Sequence, residues 1–543
     1  MMIILILLLL IVLIGWHITI RYTNASHYND AFSQHINAQN KKRFFSGMHQ
    51  PFMPTAEQRL FFEKHFSEYQ HLLPQSLAEL QRRHCLKTSV SFKALSECPV
   101  SYDAKQAKPL AVGGPAALMW AISLAKQNQD VTYLNNDQAM PIAYASAWHL
   151  EEDAETEAPT TFKPTSFLSD QLLSIIFKPA RYTKIESSGL FSWQTLDWIG
   201  WLRRPTLWLT GIKIAFYFQL ITQQASKKRK SMLIKLAKQC HYNEEFYNEL
   251  DTLLNHQLLL SGQGSIIIAR TDEEVRNLSV LRSHLKHEKR SLKFLSDNDL
   301  LQRYGFVFAG KKFAEKSHDR ILSPNFMQLC KNFLTQKKSQ VINATLVNIY
   351  IDQKQSGGIA EYTLPNHDTV FLPFSHLTLS LGYQAMFNLN NKPLYEVVSA
   401  RGVSMLAYIY LPRGCQLSAM TVCGATNHVT RLSHSPVSVQ KDNAEYDAYL
   451  VRITAGACIT PTVLDPSAVD YDASVALGLI TAVRQTFGTK CIIEPIFVYG
   501  GNRQMSRYGQ THWCSPHPDI HIQYGAGGGG LTRAPDVTET GKP

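Results

Sequence analysis

The chain has 543 residues, 45% hydrophobic and 18% charged, which is too long for one ordinary domain and too apolar for a disordered protein. Its net charge of +11 suits an anionic partner, yet no paired zinc ligands and no RNP-like aromatic strand point to nucleic acid. The nine cysteines are odd in number and include no C-x-x-C, which argues against a disulfide framework and a structural zinc site and for a reducing compartment.

Met1 to Ile14 is apolar throughout, and Trp16 follows two residues later. Twenty helical residues would span about 30 Å, the thickness of a bilayer's hydrocarbon core. Residues 1–21 therefore read as a single transmembrane anchor, with Trp16 at the interface and membrane lipid as a partner. No basic residue precedes the run, as a cleaved signal peptide would require, although that alternative stays open. Arg21, Lys41, Lys42 and Arg43 all follow the span, which puts the bulk on the cytoplasmic side.

Residues 22 to about 50 are polar and read as a stalk. From Thr55 to about Val90 the apolar residues fall near helical spacing, with Pro74 as a break, and predict a helical extension. Leu110 to Leu134 reads strand, tight turn, helix, strand. Residues 193–224 are apolar and Trp-rich, and Lys227-Lys228-Arg229-Lys230 follows them. That pair of features fits either a membrane surface or a buried helix pair with a solvated basic turn. A helix is expected from Met232 to about Leu254, a strand over Gly264 to Ala269, and a helix over Glu273 to Lys289. Beyond Val341 the pattern is mainly β, with runs at Ala344–Ile351, Val370–Phe374, Leu377–Leu381, Val403–Leu411 and Tyr449–Thr454. Ala473 to Phe487 reads as a helix, and the tail beyond Thr532 as loose.

The stretch from Leu110 to Asp137 carries the most chemistry. A βαβ dinucleotide site needs glycines at its first turn, a helix N-terminus facing the phosphates, and an acid ending the second strand to bind the ribose. Here Gly113, Gly114, Pro115, Ala116 and Ala117 form the turn. Val112 stands at the first glycine position, Ala117 at the third, and Asn135 where the acid belongs, with Asp137 two residues on. A βα turn that binds nothing is the plain alternative.

Four further segments resemble those of FAD-dependent oxidoreductases of the DAO superfamily, most closely the D-amino-acid dehydrogenase small subunit. The resemblance runs from about Leu110 to Thr532. The first segment is WLRRPTLWL, Trp201 to Leu209, followed by Ser261 to Leu285 and the helix-capping phrase SLKFLSDNDLLQRYG. The second is LTLSLGYQA, Leu377 to Ala385, which is similar to the family strand beside the adenosine half of the flavin. The third is ARGVSMLAYIYLP, Ala400 to Pro412, similar to the strand that opens the substrate domain. The fourth is Gly501 to Thr532, similar to the family's arginine segment and glycine turn.

The resemblance implies an α+β fold: a Rossmann-like FAD-binding βαβ domain with an inserted, mainly antiparallel substrate domain. With the anchor, this divides the chain into residues 1–21, an extension over 22–105, a discontinuous oxidoreductase region over 106–532, and a tail over 533–543. It implies FAD held by Gly113, Gly114, Pro115, Ala116, Ala117, Asn135, Gly382, Gly525, Gly527, Gly528 and Gly529. It implies Arg503 as the clamp on a substrate carboxylate or beside the flavin ring, with Tyr524 or Tyr508 supplying a hydroxyl. The implied reaction is hydride transfer from an amino acid or amine to flavin, with electrons passing to a quinone or other membrane acceptor. Val112, Asn135, Tyr508 and Ala526 depart from the family pattern, and they keep open a flavin-free relative that serves as a membrane-tethered binding or scaffold protein. A metal site at His512, Cys514, His517, Asp519 and His521 is interrupted by Pro516 and Pro518. No G-x-S-x-G elbow supports a hydrolase.

Overall fold

The computed structural model describes residues 54–74, 88–135, 245–260, 265–270 and 512–524 throughout, and most of 292–460 and 479–506. The segment read as a membrane anchor, the stalk, the Trp-rich stretch and the basic cluster lie outside the described residues. Among the described residues, no helix is long and apolar enough to cross a membrane.

The first helix, α1 (Ala56–His65), starts at a capping box. The Thr55 hydroxyl accepts from the Gln58 N–H, and the Gln58 side chain accepts from the Thr55 N–H. The expected helix does not include Val90. A 3-10 turn covers Ser67–Leu72, and residues Thr88–Ala94 form strand β1. The reason is local: in TSVSFKA, β-branched and aromatic residues alternate with polar ones, and Val90 and Phe92 are buried at period two. Although β1 precedes residue 106, it pairs with the main sheet.

The expected βαβ unit is present as strand β2 (Lys108–Gly113), helix α2 (Pro115–Lys126) and strand β3 (Thr132–Asn135). Pro115 suits the first helical position because the N–H it lacks would have no partner inside the helix. Most of α2 is apolar on every side and buried, as a helix sandwiched in a core must be. Further on, Ser296 caps helix α3 (Asp297–Tyr304), and Gly305 ends it at φ +76° in the left-handed region. Helix α4 (Phe326–Gln336) leads into β4 (Gln340–Asn343), β5 (Thr345–Ile351), β6 (Gly358–Thr363) and β7 (Thr369–Ser380).

The two β runs expected over residues 370–381 are one strand. The first half of β7 pairs antiparallel with β6, and Leu377–Ser380 pairs parallel with β2. The register shifts between Phe374 and Leu377, which lets one strand change partners without a break. The last strand, β11 (Ile520–Tyr524), lies parallel on the other side of β7. The parallel part of the sheet therefore runs β4–β3–β2–β7–β11. Ala111 and Tyr133 face a core with α2 and α4, whereas Val112, Leu134, Leu379 and Ile522 face a second core on the opposite side.

A separate, mainly antiparallel sheet is built around three long strands: β8 (Val397–Pro412), β9 (Ala444–Thr460) and β10 (Ile492–Ser506). Its remaining strands include Met420–Cys423, Asn427–Arg431, Ser265–Ala269, Lys312–Lys316 and Leu292–Leu295. Aromatic residues of α1 and of the turn after it pack on this sheet, with Phe61 edge-on to Tyr408 and Phe66 stacked on it. The described residues thus form a mixed α/β structure with one partly parallel sheet, one mainly antiparallel sheet and a small three-stranded one.

Candidate active site

Strand order locates the site. From β2 the chain moves to β3 on one side, and later to β7 on the other. In open α/β sheets, ligands sit outside the carboxyl ends of the strands where the order reverses in this way. Here that point lies between Gly113 and Ser380, which are register partners at the ends of β2 and β7.

Five strands end there on the same row. Asn343 pairs with Asn135, Val112 pairs with Leu134 just before Gly113, Gly113 pairs with Ser380, and Leu379 pairs with Ile522 just before Gln523. The row reads Asn343, Asn135, Gly113, Ser380, Gln523. Each is two residues beyond a position on the α2 side of the sheet, or shares that register, so the row lies under the N-terminus of α2. Two hydrogen bonds link its members. Asn135 Nδ2 donates to Asn343 Oδ1 at 2.9 Å, and Ser380 Oγ donates to Gln523 Oε1 at 3.1 Å.

Gly113 adopts φ +117°, and a Cβ there would stand 2.4 Å from the Ser380 carbonyl oxygen. The glycine is therefore required by the close approach of β7 itself. The Gly114 N–H donates to the same carbonyl at 2.7 Å, and Tyr133 Oη donates to the Gly113 carbonyl at 2.6 Å. Pro115 has no N–H, so the donors that the first helical turn can offer come from Ala116 and Ala117. Val112, which takes the first glycine position, points its side chain into the core on the opposite face and leaves the row clear. Asn135 is buried, with its amide directed to Asn343.

Tyr524 follows Gln523 on β11 and is half-buried. Burial, and secondarily Cys514, push its phenol up, so it stays protonated and can donate at neutral pH. Arg503 lies on the other sheet, where its backbone pairs with Ala400 near the end of β10, and β10 touches β11. Gly382, Gly525, Gly527, Gly528, Gly529, Ala526, Asp137 and Tyr508 lie outside the described residues. Sequence reading missed Asn343, Ser380 and Gln523. Their signal, a polar residue closing an apolar strand, also marks the start of any loop.

The His-rich segment does other work. Asp519 Oδ2 accepts from the Gly357 N–H and the Ser356 hydroxyl, both at 2.9 Å, and Oδ1 lies 3.4 Å from His376 Nε2. The Asp519 N–H donates to His517 Nδ1, and His517 Nε2 faces the Asp352 carbonyl at 3.2 Å. Asp519 thereby clasps the β5–β6 turn to β7 and β11, at the end of β11 away from the row. No group of three His, Cys, Asp or Glu side chains able to hold a metal ion occurs among the described residues.

No protein-family model matches the chain, and no curated protein matches it in sequence. Among solved structures it is similar to iminodiacetate oxidase from Chelativorans sp. BNC1, at 11% identity and a TM-score of 0.47, with 80% of this chain and 96% of that one covered. Glycine oxidase from Geobacillus kaustophilus matches at 12% identity and a TM-score of 0.47, covering 80% and 92%. L-alpha-glycerophosphate oxidase from Mycoplasma pneumoniae, whose structure holds FAD, matches at 12% identity and a TM-score of 0.41, covering 80% and 92%.

Proposed function

We propose that this chain is a FAD-dependent oxidoreductase that acts on an amino acid or amine, resembles D-amino-acid dehydrogenase, and passes electrons to a quinone or other membrane acceptor. The observation that carries the reading is the polar row at the switch point, lying under the N-terminus of α2. Four strand ends carry hydrogen-bonding side chains there, and the fifth carries a glycine. That combination suits a long polar ligand with a pyrophosphate near Gly114, Pro115, Ala116 and Ala117. Asn135 and Asn343 would meet its ribose. A bound flavin would accept a hydride from the carbon that bears the amine.

The remaining roles fall to the protein. Arg503 fixes the substrate carboxylate with its two-pronged guanidinium, and Tyr524 donates a hydrogen bond from a phenol that stays protonated. Residues 1–21 tether the protein to the membrane, with the bulk on the cytoplasmic side. One feature favours the rival reading of a flavin-free tether: the Gly114 N–H is spent on Ser380, so the turn has fewer donors for phosphate. The burial of Val112 on the far face weighs the other way, because no side chain enters the row from that position.

The test is the visible spectrum of the full-length chain, purified in detergent with excess FAD. Retained flavin bands, bleached without oxygen by a D-amino acid or another amine, are the expected result. A folded protein that stays colourless after reconstitution with FAD removes the enzyme reading and leaves the tether.

A further inference from the structure

The row places a buried amide where sequence reading had assigned nothing. Gln523 is 5% exposed, and its Nε2 finds no hydrogen-bond partner among the described residues. Its other end is fixed: Gln523 Oε1 accepts from the Ser380 hydroxyl at 3.1 Å. That bond puts the carbonyl end of the amide on Ser380 and frees the amino end. A buried donor without an acceptor is unfavourable, so a residue kept in this state suits a site where an acceptor arrives with a ligand.

Position along the row identifies the ligand part. Five strands with about 4.8 Å between neighbours give a row roughly 19 Å from Asn343 to Gln523. The α2 N-terminus lies over its middle, at Gly113, and Asn135 with Asn343 lies at the ribose end. A ligand with its pyrophosphate at the middle and its adenylate half over Asn135 must send its other half across β7 towards β11.

We propose that Gln523 is a cofactor-positioning residue whose Nε2 donates a hydrogen bond to an oxygen on the non-adenylate half of the dinucleotide, with Ser380 setting the direction of the amide. The partner oxygen is a hydroxyl of the sugar-alcohol chain or a carbonyl of the ring. This rests on the FAD reading above. Asn135 and Asn343 hold one end of the cofactor, and Gln523 holds the other. Neither Ser380 nor Gln523 belongs to the glycine turn, so their contribution separates from that of the phosphate site.

The test is equilibrium binding of FAD and, separately, of ADP to the full-length chain and to its Gln523→Leu and Ser380→Ala variants. Gln523→Leu is expected to weaken FAD binding about tenfold, as loss of one hydrogen bond would, and to leave ADP binding unchanged. Ser380→Ala is expected to have a smaller effect of the same kind, because the amide remains but loses its guide. Without nucleotide, the thermal midpoint of Gln523→Leu should change little, since the substitution removes an unpaired buried donor along with the acceptor of the half-buried Ser380 hydroxyl. The proposal is overturned if Gln523→Leu leaves FAD affinity unchanged, or weakens FAD and ADP equally, which marks a structural role. If wild-type protein binds ADP but binds FAD no tighter, the nucleotide edge stands and the role of Gln523 falls. If folded wild-type protein binds neither, the FAD reading itself falls and takes this one with it.

Discussion

At Gly113 the backbone conformation and the neighbouring strand make the same demand. The φ of +117° disfavours any side chain, and a Cβ would meet the backbone oxygen of Ser380, which has no rotamer to turn away. Gly113→Ala should therefore destabilise the fold by about 2–4 kcal/mol, measured as a lower urea midpoint with an unchanged slope. A substitution that lost only nucleotide affinity would show that the glycine serves the ligand instead. Asp519 makes the opposite kind of contribution, through charge. Burial alone would raise its carboxyl, but the Gly357 N–H, the Ser356 hydroxyl, His376 and His517 together hold it below its ordinary value of 3.8. A depressed folded value means that the folded state takes up this proton less readily than the unfolded chain. The stabilisation is then complete above the unfolded value and is lost as pH falls through the folded one. Asp519→Asn should flatten the fall of stability below pH 3.8, read from denaturation midpoints across that range. An acid limb as steep as that of wild type would remove Asp519 from the account. Sequence could flag Gly113 and Asp519 as notable residue types. It could not say why, because Ser380 and Gly357 reach them only through the folded register.

The elements were legible where period and punctuation agreed. Gly114-Pro115 opens α2, Ser296 and Gly305 bracket α3, and alternating apolar residues mark β5 and the middles of β8 and β9. Legibility failed where a short strand followed a helical stretch, as at β1, and where β7 changes partners midway. Helix α1 was legible as an element from Thr55 onward, but its docking was not, because that depends on a sheet more than 300 residues away. Gln58 is the link: its Nε2 donates to Glu494 Oε1 at 3.1 Å and to the Pro495 carbonyl at 3.0 Å, and its carbonyl completes the cap of the helix. Glu494 also accepts from Lys441 at 2.9 Å and from Tyr410 at 3.0 Å. Burial works against this carboxylate, yet the bonds from Lys441, Gln58 and Tyr410 keep it below its usual range. Gln58→Ala removes part of the cap and one donor to Glu494, and should cost about 2 kcal/mol. Residues 55–73 should then become the first part of the chain cut in limited proteolysis. Unaltered cleavage at that segment would mean that the aromatic contacts of Phe61, Phe62 and Phe66 suffice to hold it.

At the scale of the whole molecule, the proposed site draws on residues far apart in the chain, and this is why sequence showed only a part of it. The glycine turn is local and could be read from adjacent residues. The bond between Asn135 and Asn343 joins positions 208 apart, and that between Ser380 and Gln523 joins positions 143 apart. Nothing in the spacing of such residues along the chain announces that they share a row. Arg503 is further removed, since it belongs to β10 of the antiparallel sheet, whereas the row belongs to the other. The proposed division of labour makes the two sheets separable by experiment: one holds cofactor, the other holds substrate. A charge-assisted bond from Arg503 to a carboxylate is worth about 1.5–3 kcal/mol, so Arg503→Leu should lower kcat/KM roughly 10- to 100-fold with an amino-acid substrate. Flavin absorbance should persist in that variant. An amine substrate lacking the carboxylate should lose much less, and Arg503→Lys should fall between wild type and leucine, because it keeps the charge but loses the paired donors. Loss of flavin together with activity would place Arg503 with the cofactor, and equal losses for both substrates would deny it the carboxylate.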